Sequence, residues 1–245
     1  MSRPAIAGPA RAGWRADPAV WESFPYFWAV LLGFTPLALG WAIFPGLARD
    51  ACLAGLFWLP MAPAAILHSA YWQPQRLAGL SWGIEDILYL FQVSSLAWLL
   101  ALAWVGRRYR LILPRLINVR RYLGFALCGV GLNLLLTWLG MFVLAALVLV
   151  NGLLVGWCLL QRPAYRPLAL AGLLTLVPAM CLEQKIWFMI WPDFVAAWNQ
   201  GVVWGREVWG IPLGEIAFHA SFVAATPLGV VYCREGRLER INPPY

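Results

Sequence analysis

The sequence is short of charge. Only 12% of its 245 residues are charged and 62% are hydrophobic, and the mean hydropathy is +0.71. Soluble domains carry roughly 25% charged residues, so this chain cannot cover a water-facing surface of ordinary polarity. A soluble globular domain, a disordered tail and a disulfide-stapled secreted scaffold are therefore excluded. We predict an all-α integral membrane protein.

Residues that hold metals and cofactors are also scarce. The chain has two histidines and five cysteines, and the cysteines show no CxxC or other metal-ligand spacing. No P-loop, no GxGxxG turn after a strand and no Asp-rich cluster for magnesium and a diphosphate is present. These absences exclude ATP-driven chemistry, a Rossmann redox site, a di-iron desaturase and a membrane prenyltransferase. We expect a protein that binds no metal and needs no cofactor.

The hydrophobic residues form stretches long enough for helices, since one span needs ~20 apolar residues. The run 122–161 contains no charged residue, so it must hold two helices with a turn, which we place near Gly140. We predict about seven transmembrane helices. Their approximate ranges are 25–45, 51–69, 86–106, 122–139, 142–161, 167–183 and 213–232.

The arginines predict how these helices are oriented. Most of them lie in four groups, near 49, in the loop 107–121, near 162–166 and in the tail 234–240. If each predicted helix crosses the membrane, all four groups lie on the same side of it. Lys and Arg favour the cytoplasmic side, so we expect the N terminus outside and the C terminus in the cytoplasm. The same distribution accounts for the net charge of +7 without nucleic acid. Residues 1–20 lack an apolar segment directly after the first residue, so no cleaved signal peptide is expected.

Two parts of the chain share short phrases. APAAILHSAYW at 62–72 and VPAMCLEQKIW at 177–187 are followed by helices that begin with WGIEDILYLF at 82–91 and WGIPLGEIAFH at 209–219. Chance similarity between apolar segments is one explanation, and a 3+1+3 parallel internal repeat is the one we favour. The predicted parts are an N-terminal tail (1–20), a first three-helix repeat (21–106), a basic loop and linker helix (107–141), a second three-helix repeat (142–232) with a Trp-rich outer loop (184–212), and a C-terminal tail (233–245).

A few acidic residues at helix boundaries are the candidates for chemistry. They are Glu85, Asp86, Glu183 and Glu215, and ionisable groups near spans usually face the bundle interior or a cavity. Asp86 and Glu215 hold matching positions in the two repeats, although an acid in a first helical turn can simply complement the helix dipole. His219 lies four residues after Glu215 on the same helical face. The pair could transfer a proton, or the carboxylate could simply satisfy the histidine.

A second group of residues is predicted to line a substrate cavity. His68 corresponds to Glu183 in the repeat, and the two could close over the same cavity or simply anchor helix ends at the interface. The tryptophans in 187–209 are too dense for a simple aromatic belt, so this segment is a candidate lid. Aromatic faces stabilise a desolvated cation by about 2 kcal/mol or more. The predicted substrate-binding residues are Glu183, His68, Trp82, Trp187, Trp209, Tyr89 and Phe218.

These motifs resemble the membrane-integral lycopene cyclase domain family, whose three-helix halves each begin the last helix with a Pro-x-Glu-Glu/Asp phrase. Gly83-Ile84-Glu85-Asp86 is similar to the first phrase, with Gly in place of Pro. Pro212-Leu213-Gly214-Glu215 is similar to the second, with Gly214 where an acid is usual. The resemblance covers most of residues 25–232.

The resemblance implies a cofactor-independent isomerase in a bacterial cytoplasmic membrane that takes a linear polyene such as lycopene from the bilayer. An acid would protonate the terminal double bond, a tertiary cation would close a six-membered ring, and a base would remove a proton. Glu85 and Asp86 would supply the acid, and Glu215 and His219 the partner acid or base.

Two other functions stay open at this point. A related terpenoid cyclase or carotenoid hydratase would use the same acids, and capture of water would distinguish the hydratase by product mass. A small membrane transporter or lipid-binding scaffold would use them to bind a proton or cation. The few polar residues that stand out in mid-span, Asn133, Thr137 and Asn151, give a hydrophilic pathway little support. The sequence leaves homo-oligomerisation and the ring type open.

Overall fold

The computed structural model of the chain describes residues 23–60, 72–199 and 204–241. These residues form seven α-helices, two 3₁₀ segments (Pro163–Tyr165 and Pro192–Ala197) and four short strands. The helices and strands are α1 (Pro25–Ile43), α2 (Pro45–Trp58), α3 (Ile84–Val105), β1 (Tyr109–Ile112), α4 (Val119–Trp138), α5 (Val143–Gln161), α6 (Arg166–Ile190), β2 (Glu207–Val208), β3 (Ile211–Pro212), α7 (Leu213–Cys233) and β4 (Arg237–Arg240).

Six of these helices, all except α2, are long and apolar enough to cross a membrane. The fold is therefore all-α, and the chain is an integral membrane protein. With 14 residues, α2 is about 21 Å long, shorter than the ~30 Å hydrocarbon core. The predicted continuation of this helix through residue 69 falls mostly outside the described residues.

Prolines and a glycine set several helix ends. Gly140 adopts φ +89° between α4 and α5, where the turn was predicted, because glycine tolerates this left-handed conformation. The prediction that the second helix begins at 51 was wrong, since α2 begins at Pro45, and the fixed φ of proline suits the first helical position. The predicted end of the sixth helix at 183 was also wrong, since α6 continues through Ile190.

The central helix of the bundle is α3, which packs against α1, α2, α6 and α7. Its fully buried Trp98 and Leu99 lie in a core that also contains Leu176 of α6 and Leu228 of α7. The helix α7 packs against both α5 and α6, whereas α4 lies at the edge, mainly against α5. Most of the surface of α4 therefore remains open to lipid.

Several contacts bring the basic segments to one end of the bundle. β1 pairs antiparallel with β4, and the main-chain N–H of Asn118 donates to the carbonyl oxygen of Cys233 at 2.8 Å. The hydroxyl of Tyr165 donates to the carbonyl oxygen of Gly236 at 2.6 Å. We call the end formed by 44–50, 106–121, 161–166 and 233–241 the basic face. The opposite end, formed by 23–26, 72–86, 139–142, 190–199 and 204–215, is the acid face. The basic segments thus share one end of the bundle.

Candidate functional site

Asp86 lies in the first turn of α3 and forms a buried ion pair with Arg76. Nε of Arg76 donates to Oδ2 at 2.7 Å, and Nη2 donates to Oδ1 at 3.0 Å. The Tyr26 hydroxyl donates to Oδ1 at 3.1 Å, and the main-chain N–H of Gly83 donates to Oδ2 at 2.7 Å. Four donors, two of them from a guanidinium fork, stabilise the carboxylate of Asp86. This geometry is that of an anchor between the preceding loop and α3.

Glu85, predicted with Asp86 as an acid, turns back onto the same loop. Its Oε1 accepts a hydrogen bond from the main-chain N–H of Leu77 at 2.6 Å, and the residue is 1% exposed. A Cβ at position 83 would contact Oε2 of Glu85. Glycine at that position therefore leaves room for the carboxylate, and a proline there would displace it.

Glu215 and His219 lie together on α7, as their four-residue spacing predicts. Nδ1 of His219 is 2.9 Å from the carbonyl oxygen of Glu215 and 3.6 Å from its Oε1. Because a carbonyl oxygen can only accept, Nδ1 of the neutral ring carries the proton. Nε2 then accepts a hydrogen bond from the Tyr89 hydroxyl, 2.6 Å away. We call Glu215, His219 and Tyr89 the proton cluster.

One oxygen of Glu215 has no hydrogen-bond partner in the described part of the chain. Nε2 of Gln184 donates to Oε1 at 3.4 Å, whereas no described residue forms a hydrogen bond with the buried Oε2. Glu215 is 6% exposed. Leaving a buried polar atom unsatisfied is costly and points to an unseen partner or a functional role. Of the four acids predicted for chemistry, only Glu215 combines such an oxygen with a neighbouring histidine.

Glu183 lies inside α6 and not at a helix boundary, because that helix is longer than predicted. Nε2 of Gln92 donates to its Oε1 at 3.0 Å, and a Cβ at Gly33 of α1 would contact both side chains. Oε1 of Gln92 and the hydroxyls of Ser94 and Ser95 are buried, with no partner among the described residues. The middle of α3 therefore carries three buried polar side chains, none of which was among the predicted site residues.

Five aromatic side chains cover the bundle at the acid face, and we call them the aromatic cap. They are Tyr26, Trp72, Trp187, Phe194 and Trp198. The ring centroids of Trp72 and Trp198 are 4.1 Å apart, and those of Tyr26 and Trp72 are 5.3 Å apart. The Tyr89 ring lies 6.2 Å from Trp187 and 6.5 Å from Tyr26. The cap therefore connects the Asp86 ion pair with the proton cluster.

The other predicted binding residues are spread more widely. Phe218 lies beside His219, with ring centroids 5.5 Å apart. Trp82 is half-buried in the loop just before α3. Trp209 is 75% exposed in the turn between β2 and β3. His68 lies outside the described residues.

Four residues that contact the predicted acids were missed in the sequence. They are Tyr26, Arg76, Gln92 and Gln184. Arg76 is far in the sequence from the arginines of the basic face, and this isolation was a usable signal. Gln92 and Gln184 are amides within apolar helices, and such residues need a buried partner.

Within the described part of the chain, no three His, Cys, Asp or Glu side chains lie close enough to hold a metal ion. Comparison of the chain with protein-family models, with curated proteins and with solved structures gives no match. The function proposed below therefore rests on the geometry of the site.

Proposed function

We propose that the protein is a membrane-embedded, cofactor-independent isoprenoid cyclase that closes an end group of a linear carotenoid such as lycopene. In this proposal Glu215 donates the initiating proton. The observation that carries the proposal is the buried Oε2 of Glu215, which has no partner among residues 23–60, 72–199 and 204–241 and lies beside the hydrogen-bonded His219 and Tyr89. Protonation of an alkene forms a carbocation, and a buried site that excludes water keeps water from capturing it.

The reaction needs no net gain or loss of protons by the proton cluster. Glu215 gives its proton to a terminal double bond, and the resulting tertiary cation closes a six-membered ring. A C–H proton then passes to the Tyr89 oxygen while the hydroxyl proton of Tyr89 moves to Nε2 of His219, 2.6 Å away. Nδ1 of the imidazolium returns a proton to Oε1 of Glu215, 3.6 Å away. This leaves the proton of the neutral ring on Nε2, and exchange between the two ring tautomers restores the starting state. Protons gained and lost balance, so the step is an isomerisation by general acid–base catalysis.

The aromatic cap supports the cationic step. Trp187, a predicted binding residue, is 2% exposed, and its ring lies next to that of Tyr89. A desolvated aromatic face stabilises a cation by about 2 kcal/mol, equivalent to about 30-fold in rate when it acts on the transition state. The Asp86–Arg76 ion pair holds Tyr26 of the cap, so Asp86 acts in this proposal as a positioning residue.

The same proposal includes the 3+1+3 repeat and the orientation in the membrane. In the first half of the chain α3 packs against α1 and α2, and in the second half α7 packs against α5 and α6. Each also begins on the acid face with an acid in its first turn. Arginine enrichment favours a cytoplasmic basic face and an external N terminus.

Expression in a lycopene-accumulating bacterial host, followed by pigment analysis, tests this function. The wild-type chain should convert lycopene to a cyclised product of the same mass. Glu215→Gln should abolish the product, and Tyr89→Phe should lower the rate by about 10²-fold or more, because general acid–base groups contribute at least that much. Glu207→Gln alters an exposed acid on the same face and should leave the rate unchanged.

Three results would contradict the proposal in different ways. Unchanged lycopene with a well-expressed wild-type chain would exclude lycopene cyclisation. Full activity of Glu215→Gln would exclude Glu215 as the donor. A product heavier by one water would identify a carotenoid hydratase, in which water captures the cation.

A proton- or cation-coupled transporter is a second candidate, favoured by the buried polar groups in the middle of the bundle. Glu183 and Gln92 are joined there by a hydrogen bond, and intramembrane ionisable groups commonly mark ion pathways. Proton-dependent uptake in liposomes would support this function if Glu183→Gln abolished it and Glu207→Gln did not.

A further inference from the structure

A groove between α4 and α5 reaches the basic face. Its volume is about 910 Å³, within the range of roughly 300–1,000 Å³ that is typical of small-molecule sites. Its apolar walls are formed mainly by Gly124, Phe125 and Cys128 of α4 and by Gly152, Gly156 and Trp157 of α5.

Missing side chains create this space. A Cβ at Gly124, Gly152 or Gly156 would meet no atom within 4 Å. Gly152 and Gly156 form a GxxxG pattern, which normally lets two helices approach closely, yet here both glycines line the open groove. The space is therefore large enough for an apolar chain that belongs to neither helix.

Positive charge lies at the basic-face end of the groove, where Arg120, Arg121 and Glu235 line it. Glu235 is paired within the wall, since it accepts a hydrogen bond from Nδ2 of Asn118 at 2.7 Å and lies 3.3 Å from Nε of Arg121. Arg120 is exposed, and no acidic partner for it exists among the described residues. The groove thus ends at an unmatched guanidinium.

The depth of the groove matches one leaflet. On α4 it extends from Arg120 to Leu132, which is about 18 Å at 1.5 Å per residue. Half of the ~30 Å hydrocarbon core is about 15 Å. An occupant with an apolar chain of this length and an acidic head group would match both the walls and the charge.

We propose that this groove binds one acyl chain of an anionic phospholipid, with the lipid phosphate at Arg120 and Arg121. Basic pockets between transmembrane helices are suited to such head groups. A second copy of the chain is a poorer match, because a symmetric contact would bring the same arginines together. The lipid fills the space between α4 and α5 and so supports the least buried helix of the bundle.

Lipid retention by the purified full-length chain tests this site. The protein in a neutral detergent is mixed with phosphatidylglycerol or phosphatidylcholine, and bound lipids are counted by native mass spectrometry. The wild-type chain should prefer phosphatidylglycerol by about five-fold or more, since one basic residue near the head group contributes about that factor. Arg120→Gln should remove most of this preference, and Gly152→Leu should lower binding of both lipids about tenfold by filling the groove.

Two matched variants control for charge and size. Arg107→Gln removes an arginine elsewhere on the basic face, and Gly131→Leu adds a side chain on α4 where a Cβ meets nothing within 4 Å outside the groove lining. Both should bind lipid as the wild type does. Gly156→Leu replaces Gly152→Leu if the latter does not yield monodisperse protein.

Wild-type lipid binding by both Arg120→Gln and the groove-filling variant would overturn the proposal, as would equal losses in the controls. A lipid-free dimer that becomes monomeric on Gly152→Leu would assign the groove to self-association and also overturn it.

Discussion

Asp86→Asn is expected to destabilise the protein even though Asp86 was first predicted to be a catalytic acid. The substitution leaves the Arg76 guanidinium, 5% exposed, opposite a neutral amide. Removing one partner of a buried ion pair costs about 3–5 kcal/mol, because the remaining charge is buried without compensation. Loss of product in this variant would then reflect loss of folded protein.

Smaller and compensating changes around the same pair sharpen this prediction. Tyr26→Phe removes one of the four hydrogen bonds to Asp86 and should cost about 1.5–3 kcal/mol, the usual range for a hydrogen bond to a charged group. The double variant Arg76→Met/Asp86→Leu leaves no charge unmatched. It should therefore be more stable than Asp86→Asn alone.

The assay is the fraction of monodisperse protein that remains in detergent after heating. For chains of this size, a loss of 1 kcal/mol lowers the melting temperature by roughly 2–4 °C. Asp86→Asn should thus melt about 6–20 °C lower than the wild type, and Tyr26→Phe about 3–12 °C lower. Asp193→Asn changes an exposed acid on the same face and should melt like the wild type.

The structural role of Asp86 would be refuted if Asp86→Asn had the wild-type melting temperature. It would also be refuted if the double variant were less stable than the single one. Normal stability of Asp86→Asn together with complete loss of cyclised product would support the first prediction, that Asp86 is a catalytic acid.

Two further predictions test the packing of Gly33 in the middle of the bundle and the pairing of β1 with β4 at the basic face. Gly33→Ala should lower the free energy of unfolding by about 1–3 kcal/mol, because the added methyl group overpacks against Glu183. A lower melting temperature measures this loss. Gly46→Ala is the control and should keep the wild-type melting temperature, since a Cβ there meets no atom within 4 Å. Leu111→Cys combined with Leu238→Cys should form a disulfide in oxidised membranes, since these residues are register partners in β1 and β4 at a separation typical of disulfides. A gel mobility no different from that of the variants carrying Leu111→Cys or Leu238→Cys alone would contradict the pairing.

Hydropathy predicted most of the helices, because an apolar run of membrane-spanning length has few alternatives. The end of α6 was missed because Glu183, Gln184 and Lys185 interrupt the apolar sequence. In the bundle the first two contact buried side chains of α3 and α7, and Lys185 donates to the carbonyl oxygen of Trp209 at 3.1 Å. The helix therefore continues through residues that look like a boundary.

The sequence predicted those contacts of the candidate site that join residues close together in the chain. Glu215 and His219 share a helical face, and their spacing alone brings them together. The partners of Asp86 and Glu183 come from a loop and from another helix, so they depend on how the chain folds back on itself. The link from Tyr89 to His219 likewise joins α3 to α7, and no periodicity within either helix reveals it.

The pairing of β1 with β4 has a consequence for the order in which the protein is made. β1 leaves the ribosome before α4–α7, so its backbone edge is unpaired while those helices enter the membrane. Arg110 on this edge, close to Arg107 and Arg108, discourages pairing with other chains during that interval, because charged side chains protect exposed strand edges. Its register partner Glu239 is synthesised only after α7. Formation of the ribbon is therefore a late step of assembly, and it can occur only once the last helix has been inserted.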